Sequence, residues 1–555
     1  MGQGRRAGGA DHRRQQRQPR SEAITDITTV EEAAAGATPD PVHPAHLTPL
    51  SGSALVLGTL ALSLATFMNV LDTSIANVSI PAIAGDLGVS SSQGTWVITS
   101  FGVANAIAVP LTGFLTQRFG AVKVFLTSTL LFVLFSFLCG QAPSLEILIL
   151  FRVLQGASAG PMIPLSQTLL LSSYPPQRSG MALAMWSMTT LVAPITGPLL
   201  GGWITDNISW PWIFYINIPV GLIAAAIAFT IYAKRETPMR KLPIDWTGLG
   251  LLIVWVGALQ IMLDKGEELD WFSSNVVVAL AVAAAVSFVL FLIWELYDEH
   301  PVVDLSLFKR PNFTLGTIML ALAYGMFFGS LVLLPLWLQE FVGYTATDAG
   351  EVLAWVGLFA LLLMPIIGRY MNRVDTRWIT TGSFLIFALV FWMRSNFTTG
   401  DSLWAYSIPT VIQGIATAMF FVPLLGIILG GLPPHRIAAA SGLSNFARIT
   451  AGAFGTSIYT TMWTNRASLH HEQLAAHIYA GNPISAPVVQ GLQNGGFSHD
   501  QALAVIDRLI DQQAYTISAD EMFRLSAWLF LGLILLVWLV KPARGGGPVD
   551  AGGAH

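Results

Sequence analysis

The chain has 555 residues, of which 53% are hydrophobic and only 11% charged, and its net charge is −4. Soluble domains carry about 25% charged residues, so this chain cannot wet its own surface and much of its exterior must face lipid. No basic stripe points to nucleic acid, and the single cysteine, Cys139, excludes a disulfide framework and a thiolate metal site.

Residues 1–50 stand apart. Six arginines are offset by six acids, and no apolar run marks a signal peptide. They read as a disordered cytoplasmic tail, with a membrane-surface role for the arginines as the alternative. Beyond them, runs of the about 20 apolar residues needed to cross a bilayer recur near 54–80, 95–116, 122–140, 145–172, 180–203, 212–233, 247–264, 276–297, 314–339, 348–370, 378–393, 403–430, 437–462 and 523–540. Fourteen spans of an all-α integral membrane protein follow. Loop arginines and lysines such as Arg118, Lys123, Arg178, Lys234, Arg240, Arg310, Arg373 and Arg436 fall on one side, with Lys265 and Arg394 in the short loops of the other. That asymmetry puts both termini in the cytoplasm. It also puts the one long loop, 463–522, outside.

The sequence repeats itself. "RVLQG" at 152–156 matches "TVIQG" at 410–414, and "YPPQR" at 174–178 matches "LPPHR" at 432–436, both 258 residues apart. Gly197 maps at the same offset onto Gly455. The domains are therefore a six-helix bundle over 51–235, an inserted helix pair over 236–300, a second six-helix bundle over 301–545, and a glycine-rich tail, 546–555. Parallel halves of this kind hold substrate between them near the midplane.

Three ionisable residues lie deep in spans: Asp72, Arg152 and Arg448. Each costs about 2.5–3.5 kcal/mol at a helix centre, so each must face the bundle interior or a water-filled cavity. None recurs in the other half: Arg152 aligns with Thr410 and Arg448 with Thr190, and span 9 has no acid to match Asp72. Asp72 and Arg152 sit at similar depths and can pair if spans 1 and 4 are neighbours. Such a carboxyl can load a proton from one side and release it to the other; a fixed structural ion pair is the competing reading. Asn69 and Gln155, each one turn from a buried charge, can extend the network. On span 13, Ser441, Ser444, Asn445 and Arg448 form a polar stripe, which either attracts an anionic substrate group or bonds to a neighbouring helix.

"APITGPLLGG" at 193–202 puts Gly197 and Gly201 on a small-residue face for close helix contact, and Pro198 perturbs the backbone ladder. "GASAG" at 156–160 matches a nucleophile-elbow pattern but has no strand before it and no triad. With no phosphate loop either, nothing supports an enzyme. "HHEQLAAH", with His470, His471 and His477, is not a zincin motif, and no metal is expected.

Taken together, "LDTSIANVSIP", "GFLTQRFGAVK", "FRVLQG" and "GPLLGG" resemble the motifs of fourteen-span drug:proton antiporters of the major facilitator superfamily, in particular its EmrB/QacA group. The resemblance runs on through "LDKGEELDWFSS", "LSNFARITAG" and "MWTNRASLHH" and covers residues 50 to 555. It implies the major facilitator fold and a proton-driven exporter of hydrophobic, often weakly acidic toxic compounds, with the proton gradient in place of a cofactor. It implies proton coupling at Asp72 and Arg152 and substrate contacts at Asn69, Asn445 and Arg448. Gating and helix packing fall to Gly113, Arg118, Gly120, Gln155, Gly156, Gly197, Pro198, Gly201 and Gly202. The implied partners are an EmrA-like periplasmic adaptor and a TolC-like outer-membrane channel, which places the chain in an inner membrane. One departure stands out: the loop after span 2 has Gln117 and Ala121 where this family carries an acid and a base, which puts an acidic latch there in doubt. The rival reading on the same fold is a proton-coupled transporter of one endogenous metabolite.

Overall fold

Fourteen helical rods make up the computed structural model, which describes residues 48–541 apart from 241–242, 267, 300, 372 and 479–484. Most of the expected tail at 1–50, and the whole of 546–555, lie outside the described residues. The rods are helices because a backbone in lipid must satisfy its own hydrogen bonds. In chain order they are span 1 (Gly52–Asp86), span 2 (Trp96–Ala108 with Thr112–Phe119), span 3 (Ala121–Gly140), span 4 (Leu145–Ala159 with Met162–Ser173), span 5 (Ser179–Asn207) and span 6 (Trp212–Tyr215 with Asn217–Tyr232). The inserted pair is span 7 (Trp246–Lys265) and span 8 (Asn275–Tyr297). The second half has span 9 (Pro311–Trp337), span 10 (Ala346–Tyr370), span 11 (Thr376–Arg394), span 12 (Leu403–Leu429), span 13 (Pro434–Ala475) and span 14 (His499–Leu539).

Eleven rods are long and apolar enough to cross a membrane, and the bent span 2 makes twelve. Spans 5 and 13, of 29 and 42 residues, complete the set. Span 2 bends by 58° where Pro110 withholds its N–H from the helix ladder. Span 4 breaks at Gly160–Pro161, against the same level of span 2: a Cβ on Gly160 would lie 2.8 Å from the Ala108 carbonyl carbon.

Spans 1–6 and 9–14 form two six-helix bundles. The end of the molecule that carries both described termini is fixed by two bonds: Leu50 N–H donates to Ser173 O at the end of span 4, and Asn312 at the start of span 9 donates to Lys541 O. The halves meet closely near this end. A Cβ on Gly113 of span 2 would lie 2.7 Å from that of Ala439 of span 13, and one on Gly368 of span 10 would lie 2.6 Å from the Gly180 carbonyl of span 5.

The inserted pair covers one flank of the seam. Span 7 lies between span 2 and span 13: Lys265 Nζ donates to Thr95 Oγ1 at 2.5 Å, Ser457 donates to Leu263 O at 2.9 Å, and Trp255 meets Phe446 edge-on at 5.6 Å. Span 8 forms the outer layer, with Val282, Val286, Val289 and Ile293 turned outwards, as a lipid-facing helix requires. Lys265, placed by the sequence in an outer loop, instead ends span 7, buried and paired to Glu268 at 2.7 Å.

Spans 13 and 14 run far past their expected ends. Most of 463–522, read from sequence as a loop, is helix: span 13 continues to Ala475, a short helix fills Ser485–Asn494, and span 14 starts at His499. These extensions clasp each other through Arg466–Glu521 and His471–Asp511, both at 2.7 Å. Buried apolar side chains, Ala467, Ala502, Ile506 and Ala514, pack alongside these polar contacts, and a hydropathy window does not register so sparse an apolar seam. His477 bonds locally to the Gln473 carbonyl.

Candidate functional site

Asp72 has no solvent exposure and stands in a cage built from four helices. Its Oδ2 accepts from Arg152 of span 4 at 2.5 Å. Its Oδ1 accepts from Gln155 at 3.1 Å and from Asn217 of span 6 at 2.8 Å. Asn217 also donates to Ser136 of span 3 at 3.0 Å. Arg152 in turn donates to the Val97 carbonyl of span 2 at 3.0 Å and to Gln155 Oε1 at 2.8 Å. Its guanidinium lies over the rings of Phe101 at 4.2 Å and Phe214 at 5.5 Å. Cation–π contact adds to the ion pair in such a dry site, yet one terminal nitrogen, Nη2, has no hydrogen-bond partner.

This arrangement holds a charged carboxylate with three N–H donors, one of them charged. Charge-assisted bonds of this kind are about twice as strong as neutral ones. The same contacts tie spans 1, 4 and 6 together through one carboxylate. Spans 1 and 4 are neighbours, and the depth match read from sequence is realised as direct contact. Asn217 and Ser136 escaped the sequence reading; the only hint was an amide set in the apolar run of span 6.

The glycines explain how the helices come so close. Gly156 faces the Phe101 carbonyl, and a Cβ there would lie 3.1 Å from that of Ala104. On span 5, a Cβ on Gly197 would lie 2.5 Å from the Ser74 Cβ, and one on Gly201 would lie 2.8 Å from the Ile75 carbonyl oxygen. Both contacts fall on span 1 within three residues of Asp72. Ser74 donates to the Pro194 carbonyl at 3.0 Å across the same contact. Gly202 is looser, 3.9 Å from Val78, and the Pro198 side chain lies outside the described residues. Gly197→Val is expected to cost about 1–3 kcal/mol of stability by overpacking. Thermal unfolding of the purified protein measures the effect; an unchanged midpoint would contradict the packing argument.

Asn69 is not part of the cage. Its amide donates to the Ala159 carbonyl of span 4 at 3.0 Å and ties spans 1 and 4 together. Asn445 and Arg448 lie instead at the seam between halves. Asn445 donates to Gln167 of span 4 at 3.2 Å, Ser441 donates to the same Gln167 oxygen, and Arg448 donates to Asn445 Oδ1 at 3.1 Å. Arg448 lies over Tyr324 of span 9 at 4.9 Å and reaches Trp186 of span 5 at 6.0 Å, while its Nε is buried without a partner.

Near the termini-bearing end, Gly120 takes a φ of 91°, a left-handed value that favours glycine, and opens span 3. The Glu236 carboxylate reaches across from the segment after span 6 to accept the Val122 and Lys123 N–H groups, each at 2.9 Å. An acid at a helix N-terminus is favourable both as a cap and against the helix dipole. A carboxylate therefore does reach this loop, from the segment after span 6, although Gln117 itself carries none. Arg118 lies in the last turn of span 2 over Phe119, at 5.5 Å.

The model of the Major Facilitator Superfamily matches residues 62–456. The chain belongs to that superfamily. It is 54% identical over 90% of its length, and 98% of the relative's, to the multidrug export protein EmrB of Haemophilus influenzae, and 53% identical to EmrB of Escherichia coli K12 over 91% and 99%. It is 48% identical to the fatty acid resistance protein FarB of Neisseria gonorrhoeae over 91% and 99%. The crystal structure of the human organic anion transporter MFSD10 (TETRAN) superposes with a TM-score of 0.52 at 14% identity, covering 88% of this chain and all of that one. That likeness speaks for the fold alone.

Within this major facilitator fold the repeat exposes a second polar core. Adding the offset of 258 carries Asp72 to Ser330, Ser136 to Arg394, Arg152 to Thr410 and Gln155 to Gln413. Three of these meet. Arg394, at the end of span 11, donates to Gln413 at 2.6 Å and to Thr410 at 3.2 Å. The sequence reading put Arg394 in an outer loop; it is instead almost fully buried, against the rings of Phe391 and Phe523. The two halves share a polar core but not its charges.

Proposed function

We propose that the chain is a proton-driven exporter of hydrophobic or amphipathic toxic compounds, an antiporter that trades each load for protons at Asp72. As an efflux transporter and not an enzyme it stands with relatives named multidrug export and fatty acid resistance proteins. The observation that carries the coupling is the Asp72–Arg152 pair, sealed from solvent in one half and without a carboxylate counterpart in the other. Intramembrane acids cost too much to be incidental. Moving one charge down the membrane potential supplies about 2.3 kcal/mol per 100 mV, which contributes to opening and closing the cage.

The loop arginines at the termini-bearing end favour a cytoplasmic location for that end. The closed seam there then corresponds to a state closed to the cytoplasm, with Arg448, Trp186 and Tyr324 at the floor of the passage. An arginine set between aromatic rings suits an apolar body bearing a weak acid. The clasped extensions of spans 13 and 14 offer a rigid projection on the outer face for a periplasmic adaptor, which hands cargo to an outer-membrane channel.

The test is dye transport into inside-out vesicles with and without an imposed proton gradient. The dye is expected to accumulate only with the gradient and to leak back when an uncoupler is added. Equal accumulation without any gradient would contradict the reading.

A further inference from the structure

The buried charges of the two halves do not balance. The N-terminal half buries Asp72 and Arg152 in contact, a pair of zero net charge. Among the described residues, the C-terminal half buries two whole guanidinium side chains, Arg394 and Arg448, and no whole carboxylate side chain. Arg394 is 1% exposed, its Nε has no partner, and its two acceptors, Gln413 and Thr410, are neutral. Asp520 of span 14 is half-buried, with its Oδ1 sealed from solvent and without a partner, and it faces Arg524. Arg394 closes span 11, whose C-terminus offers only about half a negative charge. An arginine does not lose its proton in a protein. With Asp520 set against Arg524, Arg394 and Arg448 leave a net positive charge inside this half.

In a protein interior such a charge acts over distances at which water would have screened it. We propose that Arg394 is a charge-selectivity residue, whose fixed field disfavours cationic cargo and favours neutral or anionic cargo between the halves. This rests on the reading that cargo passes there. Arg394 need not touch the cargo; it acts through its charge. A residue that merely ties span 11 to span 12 would leave no charge signature.

The probes are tetraphenylborate and tetraphenylphosphonium, ions of matched shape and opposite charge. Each is titrated as an inhibitor of dye efflux in inside-out vesicles carrying the full-length chain. Variants are compared in the same membranes, so the partitioning of the ions themselves cancels. Arg394→Gln is expected to shift the borate-to-phosphonium potency ratio towards the cation by about tenfold or more, and Arg394→Lys is expected to restore it. Gln413→Glu leaves the arginine in place and sets a carboxylate against it, at the position of an acceptor now 2.6 Å away; it is expected to shift the ratio in the same direction, and so covers the case in which Arg394→Gln fails to fold. A ratio that stays constant, including one in which both potencies fall together, would reduce Arg394 to a structural tie. If neither ion inhibits the unaltered chain, the passage between the halves is itself refuted, and this role with it.

Discussion

Asp72→Asn is expected to fold, reach the membrane and lose gradient-driven efflux, by about a hundredfold or more. The substitution is isosteric and keeps an oxygen to accept from Arg152, while its new NH2 meets the Gln155 and Asn217 amides, which must turn to accept from it; it cannot exchange a proton. Removing one partner of a buried ion pair usually costs about 3–5 kcal/mol, because it strands the other charge. Here the cost is expected at the low end. Arg394 already stands in the other half with only neutral acceptors and aromatic rings around it, and Arg152 has the same means of support in Val97, Gln155, Phe101 and Phe214. Downhill movement of dye, which needs no proton, is expected to persist. Vesicle transport with and without the gradient separates the two, and full gradient-driven accumulation by the variant would rule out Asp72 as the coupling group.

Arg152→Leu is expected to do more damage to the fold than Asp72→Asn does. Leucine cannot reach the Val97 carbonyl, Gln155 or Asp72, and it leaves a carboxylate at zero exposure with two neutral amides for company. The full about 3–5 kcal/mol applies, enough to lower the membrane yield sharply. Adding Asp72→Asn to Arg152→Leu removes the stranded charge and is expected to recover a large part of the stability without recovering coupled transport. Thermal unfolding of the two single variants and the double variant gives the interaction energy. A double variant no more stable than Arg152→Leu would mean that the pair contributes nothing as a pair.

The architecture was legible because lipid imposes a coarse rule: about 20 apolar residues per crossing, and a repeat marked by "RVLQG" and "TVIQG". The Asp72–Arg152 contact was legible too, since depth in a membrane is a linear function of position along a helix. Neighbours set by tertiary packing were not. Asn217 lies 145 positions from Asp72, and nothing in the apolar run around it says which helix it faces. Arg394 was misplaced because a charge at the edge of an apolar run looks the same whether it points to water or back into the bundle. Glu236 belongs by sequence to one loop and by contact to another, where it caps span 3 beside Gly120. The extensions of spans 13 and 14 were hidden because their buried apolar residues, Ala467, Ala502, Ile506 and Ala514, are few and mostly small and lie among charged side chains such as Arg466 and Glu521, so mean hydropathy stays low.

The most direct measurement is of protons themselves. Purified protein in liposomes, with a pH-reporting dye inside and an outward gradient of cargo as the sole driving force, reports proton movement opposite to cargo. The unaltered chain is expected to move protons in proportion to cargo, and Asp72→Asn to move cargo with no accompanying protons. Proton counter-flow undiminished by Asp72→Asn would contradict the account.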